Sequence, residues 1–300
     1  MRQALIFPGQ GAQYPGMGKD IYENFSEAKE LFQQADEIMN YNLSKLMFEG
    51  PMEELTKTKY SQPAIFVMSM ALLKVLGEQK CDACAGLSLG EYSALVASKR
   101  LSFEEGLKLV IARGAFMDEA CTLRPGTMSV VLGLNESAVF EAIEGLEGVW
   151  VANLNCPKQV VLSGTKEGIA AAEAPIKAKG AKRYLPLDVA GAFHSELMAS
   201  AQEKLKPQIE SAPLIESSTE LVMNVPGDYV ESLDAVGQNL IDQVVKPVRW
   251  EKGIRAMEAR GIDRYIEIGP GKTLAGMNKK IGIQGVCINI EKVEDLDGHA

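Results

Sequence analysis

The strongest constraint on this chain lies in residues 81–98, CDACAGLSLGEYSALVAS. Cys81 to Ala85 reads as a buried strand, Gly86-Leu87-Ser88-Leu89-Gly90 follows at once, and a helical pattern begins at Glu91. A serine between two glycines at a strand-to-helix turn is the nucleophile-elbow pattern, G-x-S-x-G, in the context it needs. The sharp turn lifts the Ser88 hydroxyl clear of a sheet, and Gly86 and Gly90 let strand and helix pass closely beneath it. The helix start adds unpaired N–H groups, so the Leu89 amide is placed to hold an oxyanion once Ser88 attacks a carbonyl.

The 300 residues can bury a large core, in one big domain or two smaller ones. No apolar run reaches the roughly 18 residues of a membrane span, and MRQALIFPGQG reads as a first strand and not as a signal peptide. A net charge of -9 argues against a nucleic-acid partner. Five cysteines, an odd number, predict free thiols in a reducing, cytoplasmic setting. Cys81 and Cys84 form a C-x-x-C, read here as small apolar residues of the elbow strand rather than as a redox pair. A zinc site would need further ligands, and there is no second cysteine pair.

Gln3 to Phe7 is an apolar strand ended by Pro8, and Pro8-Gly9-Gln10-Gly11 is the loop after it. Such a loop lies at the carboxyl edge of an α/β sheet, where ligands bind. Residues 21–40 have helical periodicity, 51–60 are polar and turn-like, and Pro63 is expected to open a long apolar helix over Ala64–Leu76. Ser102 with Glu105 fits a capping box for a helix running to Met117. Arg113 sits inside that helix among Ala112, Gly114 and Ala115, where little shields its guanidinium from whatever packs beside it.

From Thr127 the character changes. Strands are expected at 127–134, 149–153, 159–163 and 183–187, with helices over 137–143 and 167–178, the latter kinked or ended at Pro175. The order βαββαβ is the ferredoxin-like arrangement. It divides the chain into a large part over 1–124, an inserted small subdomain over 125–189, a second large part over 190–290, and an acidic, disordered tail over 291–300. The cleft between two such bodies is a favoured ligand site.

His194 follows the insertion, and the only other histidine is His299 near the chain end. A serine nucleophile needs a base, which points to His194. Asp242 and Asp263 are candidates to orient its ring by composition only, and a backbone carbonyl would serve as well. Residues 236–250 read as a helix stopped before Pro247, with Asn239 and Gln243 on one face and unpaired carbonyls near its end. Arg264–Ile268 is a last inner strand and Ile283–Ile290 an edge strand. Gly269-Pro270-Gly271-Lys272-Thr273 invites a phosphate-loop reading, which fails because position 266 is isoleucine and a proline lies inside the loop.

The stretches FPGQG at 7–11, GLSLGE at 86–91, RG at 113–114, NLNCPKQVVLSG at 153–164, AFHS at 192–195, KPVRW at 246–250 and EIGPGKTLAG at 267–276 occur in this order. Together they make the chain resemble the malonyl-CoA:acyl carrier protein transacylases, the acyltransferases of fatty acid synthesis, over about residues 3–290. The resemblance implies an α/β fold, an α/β-hydrolase-like large subdomain with an inserted ferredoxin-like small one. It implies that Ser88 carries a malonyl ester, that His194 is its base and that Arg113 pairs with the malonyl carboxylate. The Gln10 and Leu89 backbone amides would be the oxyanion donors, and the Gln243 carbonyl would orient the histidine. Asn155 and Phe193 would line the cleft. Many relatives carry histidine before the nucleophile, where this chain has Leu87, which removes a polar contact near Arg113. Gly191-Ala192-Phe193-His194 favours malonyl over methylmalonyl.

The implied partners are malonyl-CoA and acyl carrier protein, with no bound cofactor or metal, no nucleic acid and no membrane. Coenzyme A enters as the thioester and leaves as product, and the chain is expected to be a monomer. Carrier proteins of this type are acidic, so docking on a chain at -9 calls for a local basic rim. Lys177, Lys179, Lys182, Arg183, Lys279 and Lys280 are the candidates. Two rival readings use the same residues: a serine hydrolase of thioesters, and a carrier-protein binding module without activity.

Overall fold

The computed structural model describes residues 1–296. Among the described residues the strands are β1 (Arg2–Phe7), β2 (Ala83–Gly86), β3 (Thr127–Leu132), β4 (Val149–Cys156), β5 (Gln159–Gly164), β6 (Arg183–Pro186), β7 (Glu220–Met223), β8 (Asp228–Tyr229), β9 (Ile262–Ile268) and β10 (Val286–Ile290). Among the described residues the α-helices are α1 (Lys19–Asn24), α2 (Ser26–Met39), α3 (Leu43–Glu49), α4 (Met52–Leu55), α5 (Thr58–Leu76), α6 (Gly90–Ala97), α7 (Phe103–Leu123), α8 (Glu136–Ile143), α9 (Lys166–Ala178), α10 (Ala199–Glu210), α11 (Leu233–Gln243), α12 (Trp250–Ala259) and α13 (Thr273–Ile281).

Six strands form one sheet in the order β10-β9-β1-β2-β7-β8. All pair in parallel except β8, which runs antiparallel to β7 at the edge. Inner parallel strands bury both faces, and the side-chain period of two then splits each strand between two cores. In β1, Leu5 and Phe7 pack into the core that holds α5 and α7, while Ala4 and Ile6 pack into the opposite core with α12 and α13. The carboxyl ends of β1 and β2 lie side by side, Phe7 opposite Gly86. That adjacency brings the Pro8–Gly11 loop next to the elbow.

The second sheet is antiparallel, in the order β4-β5-β3-β6, and its chain order is βαββαβ. One face is covered by α8 and α9 through Val131, Val139, Val151, Leu162, Ile169 and Ile176. The other face contributes Met128, Ala152 and Val161 to the core of the large sheet. The fold is thus a large α/β body with a small β-rich body inserted in it. The Val248 segment fastens them: the Leu154 amide donates to Val248 O, and the Val248 amide donates to Ala152 O, both at 2.8 Å.

Several elements differ from the sequence reading. The helix expected to open at Pro63 begins at Thr58, so Pro63 lies inside it, and part of the polar stretch 51–60 is α4. Helix α9 runs through Pro175 to Ala178. Residues 21–40 are two helices, broken at Phe25, whose backbone is extended. The helix expected over 236–250 ends at Gln243, and Trp250 opens a new one. Proline disfavours helical geometry in the residue before it, and Pro247 therefore leaves 244–249 free to reach β4. The acidic tail is ordered through Leu296, which is buried against the large core. The Val293 amide donates to Asp20 Oδ2 at 2.9 Å, and Asp295 Oδ2 accepts from the Glu291 and Lys292 amides. Residues 297–300, His299 among them, lie outside the described residues.

Candidate active site

Ser88 leaves β2 with φ 53, in the left-handed region that costs a residue with a side chain. The turn is possible because its neighbours lack Cβ atoms. A Cβ on Gly86 would lie 1.9 Å from Gly90 C, and one on Gly90 would lie 2.2 Å from Phe7 O. Asn224, just beyond β7, completes the turn. Its Oδ1 accepts from the Ser88 amide at 2.6 Å, and its Nδ2 donates to Gly86 O at 2.7 Å.

His194 also has a left-handed backbone, φ 56, which turns its ring back toward the elbow. Its Nε2 is 2.8 Å from Ser88 Oγ, and its Nδ1 is 2.7 Å from Gln243 O. A carbonyl has no proton to give, so Nδ1 carries the proton and Nε2 is the acceptor for the serine hydroxyl. No described carboxylate hydrogen-bonds the ring: Asp242 accepts instead from Gln238 and Lys246. Burial and then the Arg113 charge push the imidazole down to about 4, against backbone hydrogen bonds that favour its cation. The ring is therefore a neutral base above that value.

Arg113 is 1% exposed. Its Nη1 donates to Gln62 Oε1 at 2.7 Å, and its Nη2 donates to Gln243 Oε1 at 2.7 Å and to Ser88 Oγ at 3.0 Å. The guanidinium carbon lies 5.7 Å from the Tyr92 ring centre, and Nε has no partner among the described residues. These partners are neutral, and burial lowers the arginine's hold on its proton. The nearby Tyr92 and Glu91 offset that burial in part, and a guanidinium whose hydrogen-bond partners are all neutral can take an external anion. Gln62 and Gln243 hold it without the histidine that Leu87 replaces.

Glu91, equally buried, binds the pieces together. Its Oε1 accepts from the Asn224 amide and its Oε2 from Gln243 Nε2, both at 2.5 Å. Gln243 Nε2 also donates to Ser88 O at 2.8 Å. One glutamine thus touches the Ser88 backbone, the arginine and, through its own carbonyl, the histidine. Burial raises the Glu91 carboxyl to about 8, against the hydrogen bonds from Asn224 and Gln243. Gln62, Glu91 and Asn224 escaped the sequence reading. Only Glu91 left a signal, as a carboxylate in the first turn of an otherwise apolar helix.

Gly9, Gln10 and Gly11 line the cleft with Ser88. A Cβ on Gly9 would stand 2.5 Å from Leu87 O, so the two loops touch there. The Gln10 and Leu89 amides make no hydrogen bond to a described residue. The cleft has a volume of about 230 Å³ and runs between the elbow and the small sheet, with Asn155 and Phe193 in its wall. Asn155 is 6% exposed, and its Oδ1 has no described partner. Among the described residues no cluster of three His, Cys, Asp or Glu side chains could hold a metal ion.

The acyl transferase domain family matches residues 4–285. The malonyl CoA-acyl carrier protein transacylase of Bacillus subtilis (strain 168) is 43% identical over 300 residues, covering 98% of this chain and 95% of that protein. The solved structure of the Clostridium perfringens malonyl CoA-acyl carrier protein transacylase superposes with TM-score 0.94 at 38% identity, over 99% of this chain and 95% of that one. A malonyl-transacylase solved in complex with its type II polyketide acyl-carrier protein gives TM-score 0.95 at 34% identity, over 100% and 99% of the two chains. Likeness of this extent, in sequence and in backbone alike, leaves no part of the fold unaccounted for, and the chain belongs to the malonyl-CoA:acyl carrier protein transacylase family.

Proposed function

We propose that this chain transfers the malonyl group of malonyl-CoA to the phosphopantetheine thiol of acyl carrier protein, through an ester on Ser88. The observation that carries the reading is the hydrogen-bonded chain Gln243 O, His194, Ser88 Oγ, with a buried guanidinium on the same hydroxyl.

The malonyl carboxylate binds Arg113, whose planar fork suits a carboxylate. His194 Nε2 takes the Ser88 proton as Oγ attacks the thioester carbonyl. The negative charge that develops on the carbonyl oxygen is held by the Gln10 and Leu89 amides, two donors with no other described partner. The imidazolium is steadied by Gln243 O and returns its proton to the departing CoA sulfur. In the second half the carrier thiol gives its proton to His194 and attacks the ester carbonyl, the bond to Ser88 Oγ breaks, His194 returns the proton to Oγ, and the malonyl thioester leaves. Two half-reactions through one covalent intermediate need no metal. Asn155 and Phe193 line the cleft that would receive the thiol arm.

We read residues 125–189 as the small subdomain, set between large parts over 1–124 and 190–290. All four strands of the small sheet fall in that span, and the cleft lies against it. No described helix is long and apolar enough to cross a membrane. The five cysteines are unpaired, which supports a cytoplasmic site of action. One chain supplies every group named above, which supports a monomer.

Intact-mass analysis after mixing with malonyl-CoA tests the reading. Wild-type protein gains one malonyl group, which carrier protein then removes. Ser88→Ala gains none, and His194→Ala forms the ester about 10²–10⁴ times more slowly. A malonyl adduct on Ser88→Ala would place the nucleophile elsewhere. Release of free malonate as fast without a thiol as with one would make the protein a hydrolase.

A further inference from the structure

Cys81 and Cys84 lie toward the amino end of β2, away from Ser88. Their Sγ atoms are 3.2 Å apart, against about 2.05 Å in a disulfide bond. Both thiols are free, Cys81 partly exposed and Cys84 buried. The backbone between them is pinned on both flanks. The Asp82 amide donates to Gln3 O at 2.8 Å, Asp82 O accepts from the Glu220 amide at 3.0 Å, and Asp82 Oδ2 accepts from the Gln3 amide at 2.8 Å. The sulfurs are therefore held in apposition by the sheet itself.

The two thiols are unequal. Hydrogen bonding with Cys84 draws the Cys81 thiol below its ordinary value, against burial. The same bond, with burial, pushes Cys84 well above its own, which the nearby Arg100 charge offsets in part. Arg100 is itself buried, with its Nε unpartnered among the described residues. A more acidic, accessible thiol beside a shielded second one is the arrangement of an attacking and a resolving cysteine.

Against the apolar reading of this C-x-x-C in the sequence, the 3.2 Å contact carries another, and we propose that Cys81 and Cys84 are a thiol modification site, a dithiol–disulfide pair that reacts with low-molecular-weight disulfides. The Cys81 thiolate attacks one sulfur of the small disulfide, forming a mixed disulfide and releasing one thiolate. Cys84 then loses its proton and attacks Cys81 Sγ, which releases the second. The protein dithiol is oxidised by two electrons, the small disulfide is reduced to two thiols, and the two protein protons end on them. The Ser88 turn is anchored separately by Asn224, so the oxidised protein keeps its rate of Ser88 acylation.

Glutathione disulfide is the probe. Treated protein is alkylated and digested with trypsin, and the peptide from Cys81 to Lys99 is weighed; it contains both cysteines and Ser88. In wild-type protein this peptide loses two hydrogens, and dithiothreitol restores them. Cys84→Ala stops at a glutathione adduct on Cys81, and Cys81→Ala leaves Cys84 unmodified. Thermal melts of both variants confirm that they fold. The proposal is overturned if Cys81 and Cys84 stay reduced while the partly exposed Cys121 and Cys287 carry glutathione. It is equally overturned if Cys84 reacts in Cys81→Ala as fast as in the wild type.

Discussion

Ser88 Oγ stands between two groups that are costly to charge together, His194 Nε2 at 2.8 Å and Arg113 Nη2 at 3.0 Å. The guanidinium is part of why the imidazole sits near 4. A malonyl carboxylate on Arg113 cancels part of that field, so the base recovers proton affinity when the correct substrate is present. Acetyl-CoA brings a methyl group and no such relief. Arg113→Ala is expected to lose malonyl transfer by roughly 2–5 kcal/mol, the cost of truncating a desolvated charge pair. Acetyl transfer should fall far less. The acidic limb of free-enzyme acylation should shift upward, toward the ordinary imidazole value. Acyl-serine formation from malonyl-, methylmalonyl-, acetyl- and succinyl-CoA measures this, and equal loss across all four would make Arg113 structural.

Glu91 gives a stability prediction with a definite sign. Its carboxyl is raised from 4.5 to about 8 on folding, so the folded state holds the proton more tightly. The associated stability is present below 4.5 and is lost as pH rises through about 8. His194 acts oppositely: depressed from 6.5 to about 4, it withdraws stability as pH falls through that window. Glu91→Gln abolishes the decline in stability as pH rises toward about 8 while leaving the acidic one. It also faces one of two backbone or amide donors with another donor, which costs about 1–3 kcal/mol. Urea melts across the pH range report both effects. Ser88 and His194 were legible from a local pattern and from scarcity, whereas the roles of Arg113 and Gln243 came with the family resemblance. Gln62, Glu91 and Asn224 were not legible. Glu91 meets Asn224 and Gln243 across separations of 133 and 152 residues, and no local pattern announces such a partner.

Among the elements, the elbow was readable because two glycines two residues from a serine have few other physical uses. Gly90→Ala tests the geometry, since its Cβ would stand 2.2 Å from Phe7 O and 3.0 Å from Pro8 O. Backbone cannot yield as a flexible side chain does. We expect a loss of about 1–3 kcal/mol in a denaturant melt and slower Ser88 acylation. Gly276→Ala, with no atom within 4 Å of its Cβ, is the tolerated control. Two prolines mislead in the same direction: Pro63 is expected to open its helix and Pro175 to kink or end the one over 167–178, and tertiary packing carries α5 and α9 through both. Conversely, the apolar pattern of 236–250 ran on past the true end of α11, because Val248 is buried against β4 and not along a helix.

At the scale of the whole molecule, a chain of net charge -9 must meet an acidic partner through a local patch. Lys177 is paired with Glu173 at 2.6 Å and Lys179 with Glu141 at 2.8 Å, which blunts both. Lys182, Arg183 and Lys279 form no ion pair with a described carboxylate, and Lys279 lies on α13, whose Thr273 and Met277 line the cleft. Charge reversal at Lys182 or Lys279 is expected to raise KM for carrier protein severalfold at low salt. KM for malonyl-CoA should hardly change, and added salt should erase the difference. Unchanged carrier kinetics in every reversal would dismiss steering by these residues.

The two bodies are joined at Val248, which β4 grips through both its amide and its carbonyl. Val248 is also five residues downstream of Gln243, whose carbonyl holds the imidazole. A tilt of the small sheet therefore pulls a short tether whose far end is the anchor of the base. The seating of the small sheet and the position of the imidazole are thus tied through one five-residue span of chain.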